Sequence, residues 1–381
     1  MIRPVFILFL SIAICLSQPW WTRPGVGPTL GWPVEIIITN ATTKSFPMSC
    51  LAPVSLNIDW GDGTSSTISA GGAFSHTYPA TSTNIMRIKG TAARLRFGDA
   101  TLAGGWPLKR VLGDLNTITN MTSLLSMFSV CQDLRSVPDG VFTNALLNGV
   151  ATLSGTFNNT QAMTNYPTLS TLTNVNNLST IWARSTLVSG FPDISALTKV
   201  TTLANSWQLC RFTTNFPDVS TLTLVNSLNS TWLDCDSAPS FPDVSTLTNV
   251  TDLTSTWNGN TNCTSLPDVT SLYKVTTCQS TWNQTRAQVY PSLSGLTNIT
   301  TINSAWASCT SMTNIPTISD STNLVAVAAA FSGNYNLVCL ATQFWDTNKF
   351  PNMGTTAALI DNCYLGCTNI ADYTNIPVAF R

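Results

Sequence analysis

Trp232-Leu-Asp-Cys235-Asp-Ser-Ala238-Pro-Ser-Phe241-Pro-Asp-Val244-Ser-Thr-Leu247-Thr-Asn-Val250-Thr-Asp-Leu253-Thr-Ser-Thr-Trp257 carries an apolar residue at nearly every third position before a second tryptophan restarts the series. A half-buried strand would place such residues two apart, and an amphipathic helix would group them three and four apart. Neither template fits throughout. The spacing predicts a chain that turns continuously, in short extended pieces and tight turns. Pro242 fixes its own φ and biases Phe241 toward extended backbone. A helical turn has room to start after it, capped by Asp243 or Ser245. The many β-branched residues argue equally for strand, so both local readings stay open.

Moving outward, tryptophan returns every 25 residues at Trp182, Trp207, Trp232, Trp257 and Trp282, and Trp306 follows one residue early. Phe157 and Phe331 extend the phase, and Phe128 begins it after a longer step. Proline keeps time with it, at Pro167, Pro192, Pro217, Pro242, Pro267, Pro291 and Pro316. A fixed period between about 20 and 50 residues marks repeats that stack only on their neighbours and bury one continuous core. The expected fold class is therefore mainly β, with a solenoid of about 25 residues per coil. The aromatic positions form its structural core ladder rather than a sugar-stacking surface, since phenylalanine replaces tryptophan in the outer repeats.

One coil reads Trp306, Cys309, Met312, Ile315, Pro316, and an earlier one Phe128, Cys131, Leu134, Val137, Pro138 after Asn120-Met-Thr-Ser-Leu-Leu-Ser-Met. This pattern resembles the BspA-like leucine-rich repeats of microbial surface proteins over residues 109–381. The resemblance implies a leucine-rich-repeat solenoid used in adhesion and surface display. Upstream, Ile58-Asp-Trp-Gly-Asp-Gly-Thr64 is followed by His76-Thr-Tyr78. The glycines supply unusual turn dihedrals, and Asp62 can bond nearby amides. That pair of motifs is similar to the PKD type of β-sandwich, and implies an N-terminal PKD-like domain at residues 18–108 that serves as a spacer or binding module. Val34–Thr39 and Met86–Ile88 read as further strands.

Composition narrows the function. Only 9% of residues are charged and the net charge is −1, against about a quarter charged in ordinary domains. No basic stripe is available for nucleic acid or for an anionic membrane. His76 is the one histidine and Glu35 the one glutamate, which leaves little from which to assemble a general base, a nucleophile and a metal set. The expectation is a non-enzymatic protein with no catalytic residues and no cofactor, and His76 is read as part of its motif. Arg3 followed by the apolar Val5–Leu16 and the small Ser17 reads as a signal peptide over residues 1–17. The mature chain is then secreted, at a cell surface or in a matrix, with no membrane insertion. Eleven cysteines less Cys15 leave ten. Cys131, Cys210, Cys235 and Cys309 each lie three residues after an aromatic anchor, in an inward slot. Equivalent positions on neighbouring coils are about 4.8 Å apart, whereas a disulfide wants its Cβ atoms at about 3.8 Å. Buried unpaired thiols are expected there, and Cys339, Cys363 and Cys367 are the better disulfide candidates.

Three further ladders invite a functional reading. Asp193, Asp218, Asp243 and Asp268 follow the prolines. A bridging Ca²⁺ is the metal they would take, but it needs six to eight oxygens, and capping of a turn explains Pro-Asp more simply. Thr171/Thr173, Thr221/Thr223 and Thr246/Thr248 could align into a hydroxyl and methyl array of the kind that binds ice, interrupted at Ala196, Tyr273 and Gly295. Glycosylation sequons occur at Asn40, Asn120, Asn158, Asn177, Asn229, Asn249, Asn262, Asn283 and Asn298. Asn120, Asn249 and Asn298 share one repeat phase. At the end of the chain Tyr364, Cys367, Ile370 and Tyr373 resume the three-residue rhythm after an insertion around Phe344–Asn352. Solenoid ends expose bare edges, and so few charges hold molecules apart. The sequence thus points to a structural or adhesive protein, glycosylated and self-associating into an extracellular coat, matrix or fibre. Its partners are itself or an extracellular protein or glycan. The alternative is a ligand-binding module that recognises carbohydrate or ice through a ladder.

Overall fold

A computed structural model describes residues 32–37, 44–78, 83–97, 108–115, 117–143, 145–185, 190–318, 321–338 and 361–375. The signal segment, Asn40, Cys339 and the insertion around Phe344–Asn352 lie outside them. Within them the protein is mainly β with almost no helix; the helical pieces are short 3₁₀ turns at Asp139–Phe142, Ala145–Leu147 and Tyr373–Asn375.

Seven strands form one hydrogen-bonded sheet: β1 (Trp32–Ile37), β2 (Lys44–Asp59), β3 (Ser65–Ile68), β4 (Gly72–Tyr78), β5 (Thr83–Arg96), β6 (Leu108–Val111) and β7 (Ile118–Thr119). The order β3-β2-β5-β1-β6 places the two long strands side by side, and β2 and β5 pair antiparallel from Asp59 opposite Arg87 to Ser49 opposite Arg96. β4 and then β3 follow one another along the other edge of β2. In β5 the buried residues are first even-numbered (Asn84, Met86, Ile88, Ala92) and then odd-numbered (Ala93, Leu95). The phase changes between Ala92 and Ala93; Gly90, just before, has a φ of +130° that is closed to ordinary side chains, and a Cβ there would collide with the Ser55 carbonyl. The pairing with β2 shifts register just beyond, between Leu51 and Val54. A bulge of this kind lets one strand serve two core surfaces.

The second of those surfaces leads directly into the repeats. Phe97, following β5, stacks on Phe128 at 5.7 Å with the planes 6° apart. Its N–H donates to Met127 O, and Thr122 and Ser123 donate to Ala93 O. The buried core runs without a break from Phe46 to Ile370. β6 begins at the expected domain boundary, pairs with β1, and bridges onward from Arg110 to Ser136.

From Thr152 to Ala326 each repeat meets the next through one parallel bridge: Thr152, Asn177, Thr202, Ser227, Asp252, Thr277, Thr301 and Ala326 in succession. The hydrogen bonds around Trp232 show how the chain is held. Alternate N–H groups, those of Leu228, Ser230, Trp232 and Asp234, donate forward to Asp252, Thr254, Thr256 and Asn258 at 2.8–3.1 Å. The intervening N–H groups close turns within the repeat, Thr231 to Leu228 O and Leu233 to Ser230 O. Ser230 and Asp234 have φ of +52° and +55°, and a left-handed residue sits two before and two after the ring in other repeats as well, such as Thr180/Arg184 and Asn205/Leu209. A turn closed across four residues with positive φ at its third is the type II arrangement. Left-handed backbone disfavours a non-glycine residue by about 1–2 kcal/mol. The forward hydrogen bonds it aims at the next repeat offset that.

After Asp243 the chain is neither helix nor strand. Leu247 N–H donates to Val244 O and Val250 N–H to Leu247 O. Successive three-residue turns account for the apolar rhythm, because each returns one side chain to the interior. The one short step, from Trp282 to Trp306, contains Gly295, where a Cβ would collide with the Thr270 carbonyl. Only glycine permits the backbone to cut that corner.

Candidate functional site

Trp182, Trp207, Trp232, Trp257, Trp282, Trp306 and Phe331 are fully buried. Their rings stack face to face at 5.1–6.0 Å, with planes within 18° of parallel. Tyr364 continues the column at 5.4 Å; on the other side Phe157, Phe128 and Phe97 stack on one another, and Tyr166 joins Phe157 to Trp182 edge-on. A second column, Tyr166, Phe191, Phe216 and Phe241, stacks at 5.8–6.1 Å and meets the tryptophans edge-on, as at Trp207–Phe216. No sugar can reach these faces. The indole Nε1 groups of all six of these tryptophans are buried without a hydrogen-bond partner.

The position three after each ring is a donor slot. Cys131 Sγ donates to Phe97 O, Cys210 to Trp182 O, Cys235 to Trp207 O, Cys309 to Trp282 O and Cys367 to Phe331 O. Where the residue is not cysteine it is Thr160, Ser185, Asn260, Thr285 or Asn334, and each again donates to the carbonyl of an aromatic residue of the ladder. Asn260 does most: Nδ2 reaches both Trp232 O and Trp257 O, and Oδ1 accepts from Cys235 N–H at 2.7 Å. Burial pushes the Cys210 thiol up to about 12 and that of Cys309 to about 11. Cys363, expected as half of a disulfide, is a buried free thiol. It lies directly before the Tyr364 ring, in the column where a small inward side chain packs between coils. Cys367 occupies the donor slot.

One residue before the ring lies a parallel set of hydroxyls. Thr156, Ser206, Thr231, Thr256 and Thr281 donate to carbonyls of the preceding repeat at 2.8–3.1 Å. The carboxylates of Asp193, Asp218, Asp243 and Asp268 each accept from the N–H and the hydroxyl of the residue two further on, at 2.8–2.9 Å. The Ser220 bonds hold the Asp218 carboxyl below its ordinary value. Among the described residues no group of three or more His, Cys, Asp or Glu is placed to hold a metal ion. Thr171, Thr221 and Thr246 donate their hydroxyls to Phe142 O, Ser195 O and Ser220 O. They are ties between repeats rather than free members of an array.

The Trp60–Gly63 turn is fastened by side chains. Asp62 accepts from Thr64 N–H and Oγ1 and pairs with His76 Nε2 at 2.7 Å. The imidazole lies flat on Trp60 at 4.4 Å, and Tyr78 OH donates to Trp60 O. Burial alone would raise Asp62, but the Thr64 and His76 bonds outweigh it and bring the carboxyl down to about 2. Gly61 has φ +78° and abuts the Ile85 backbone, so the turn demands glycine there.

Among the sequons, Asn262 and Asn298 are exposed, as is Asn120, whose φ is +64°. Asn158, Asn177, Asn229, Asn249 and Asn283 are half-buried. Asn249 and Asn298 donate Nδ2 to Thr223 O and Tyr273 O of the preceding repeat. Asn298 lies on one wall of a surface groove with Lys274 and Asn323, and the other wall is mostly threonine, a feature the sequence carried in two columns of Asn/Lys and Thr without drawing attention to it. Among the described residues no helix is long and apolar enough to cross a membrane. Compared with known proteins, the chain matches no family model and no curated protein.

Proposed function

We propose that this is an extracellular, non-enzymatic structural or adhesive protein, built as a PKD-type β module leading into a BspA-like solenoid. Supporting it above all is the fate of the periodic side chains: aromatic rings, thiols and hydroxyls are engaged in joining one repeat to the next, and the carboxylates in fastening a turn within each repeat. Residues so engaged are unavailable for acid–base or nucleophilic work, and they make a stiff, elongated scaffold whose sides are free for contact. Repeat arrays of this kind offer long lateral surfaces for binding. A surface with few charges also favours self-association over repulsion. Export follows from the Arg3–Ser17 segment.

The test is direct. The chain expressed with its first residues intact should be recovered outside the cytoplasm with its N-terminus at Gln18 or close by, and negative-stain images should show rods, singly or joined. Retention in the cytoplasm with Met1 in place would overturn the extracellular assignment. Compact round particles would overturn the scaffold.

A further inference from the structure

We propose that the groove formed by the repeats of Thr251–Val325 binds a neutral, hydroxyl-rich oligosaccharide laid along the stack. The inference rests on the adhesive reading and names the chemistry of one binding face. The groove is shallow and open to solvent, with a volume of about 710 Å³. One wall is Lys274, Asn298 and Asn323, each eight residues ahead of an aromatic rung (Trp282, Trp306 and Phe331); the other is Thr251, Thr276, Thr300 and Val325, the last three each two residues beyond a member of the first wall. The floor between them is Val275, Ile299 and Leu324, whose side chains point inward and are fully buried.

The polarity of these walls selects the ligand. Asn298 Nδ2 donates to Tyr273 O at 2.8 Å, and Asn323 Nδ2 donates to Thr297 O at 3.1 Å. Each amide is thereby fixed with one N–H engaged, leaving Oδ1 and the second N–H as the groups offered to a ligand. The threonines repeat the device: Thr251, Thr276 and Thr300 donate Oγ1 to Asn226 O, Thr251 O and Thr276 O at 3.0–3.2 Å. Their oxygen lone pairs remain. Lys274 supplies the single charge, and its ammonium already bonds Asn249 Oδ1 at 2.7 Å. A pre-ordered row of acceptors interspersed with a few N–H donors wants a ligand that both donates and accepts. An anion would meet those oxygens unfavourably, and an apolar ligand would leave them without partners, which disfavours binding. A sugar chain satisfies them with hydroxyls. Beside the Asn wall Tyr273 is 47% exposed and offers a ring face against which a pyranose can rest. Fixed side chains lose little conformational freedom on binding, so weak polar contacts add up.

Asn298 is itself in a sequon, and a sugar attached to it would enter this groove. The experiment therefore uses full-length mature chain made without N-glycosylation. Isothermal titration with neutral linear hexaoses of glucose, mannose and N-acetylglucosamine, and with a hexamer of galacturonic acid as the anionic comparison, should give binding by at least one neutral sugar and not by the acid. Thr276→Arg fills the groove from an exposed position and should weaken that binding by about tenfold or more, while Phe212→Arg, at a distant exposed site, should leave it unchanged. Melting curves of both variants establish that they fold. Asn323→Ala, which removes one acceptor without adding bulk, should also weaken binding. Failure of every neutral hexaose to bind at millimolar concentration overturns the proposal, as does equal binding to Thr276→Arg. Thermal hysteresis without sugar binding would overturn it in favour of an ice face. Adhesion of the wild-type chain and of Thr276→Arg to cells is scored separately. Adhesion that survives without sugar binding sinks the groove alone, and absence of adhesion beside intact sugar binding sinks the adhesive reading alone.

Discussion

Replacing Trp232 by alanine removes a ring from the middle of the aromatic column. The ring is fully buried and lies between Trp207 at 5.7 Å and Trp257 at 5.9 Å, nearly parallel to both, with Phe241 at 5.9 Å beside it. Large-to-small changes of this size destabilise by about 3–5 kcal/mol. Two lost stacking contacts, at about 0.5–1.5 kcal/mol each beyond area, place Trp232→Ala at the upper end of that range. Neighbouring rungs are held by forward backbone bonds every second residue and cannot close the gap. Trp232→Phe is a sharper comparison, because Phe128, Phe157 and Phe331 occupy the same rung elsewhere. It leaves a smaller void and also removes an indole N–H that is buried without a partner. The expected loss is about 1–1.5 kcal/mol. Urea unfolding followed by far-UV circular dichroism measures both, and acrylamide quenching reports whether the indoles are shielded in the native protein. A loss below about 1 kcal/mol for Trp232→Ala, or native indoles quenched as readily as free tryptophan, would refute a structural column.

Asn260→Leu removes three hydrogen bonds and strands the Cys235 N–H, so it should destabilise by about 2–3 kcal/mol, whereas Cys235→Ser keeps a donor to Trp207 O and should stay within about 1 kcal/mol; urea midpoints decide between them. The Asp62 carboxyl sits at about 2 when folded against an unfolded value of 3.8. Its stabilising contribution is complete above the unfolded value and fades as pH falls from near 4 toward 2. In Asp62→Asn that part of the acid sensitivity should disappear from melting curves taken across this window. Buried thiols with raised pKa values resist attack, so Cys131, Cys210, Cys235, Cys278, Cys309 and Cys363 should react with a disulfide reagent such as Ellman's only after denaturation. Rapid labelling of one of them in the native protein, located by mass spectrometry, would contradict the packing.

What the sequence determined by itself is everything that repetition exposes. A chain stacked on copies of itself must put the same kind of residue at the same place in each turn, so Trp182 to Trp306 and the thiols of Cys131, Cys210, Cys235 and Cys309 stand out by spacing alone. Residue type gave no such signal for backbone conformation. Positive φ is ordinarily announced by glycine or asparagine, yet here Thr180, Arg184, Leu209, Ser230 and Gln284 adopt it. Only the next repeat, receiving their N–H groups, makes that conformation favourable. The role of the donor slot was hidden as well: Cys, Thr, Ser and Asn share no obvious chemistry until the carbonyl of a rung, their own or the preceding one, is brought against them. Phe97 could not be read as a rung, because it follows a strand and lies off the 25-residue period. Its place is set by the change of phase in β5, a contact between distant segments. Likewise the groove exists only because repeats stack in register, which brings Asn298 and Asn323 onto one wall and Thr276 and Thr300 onto the other.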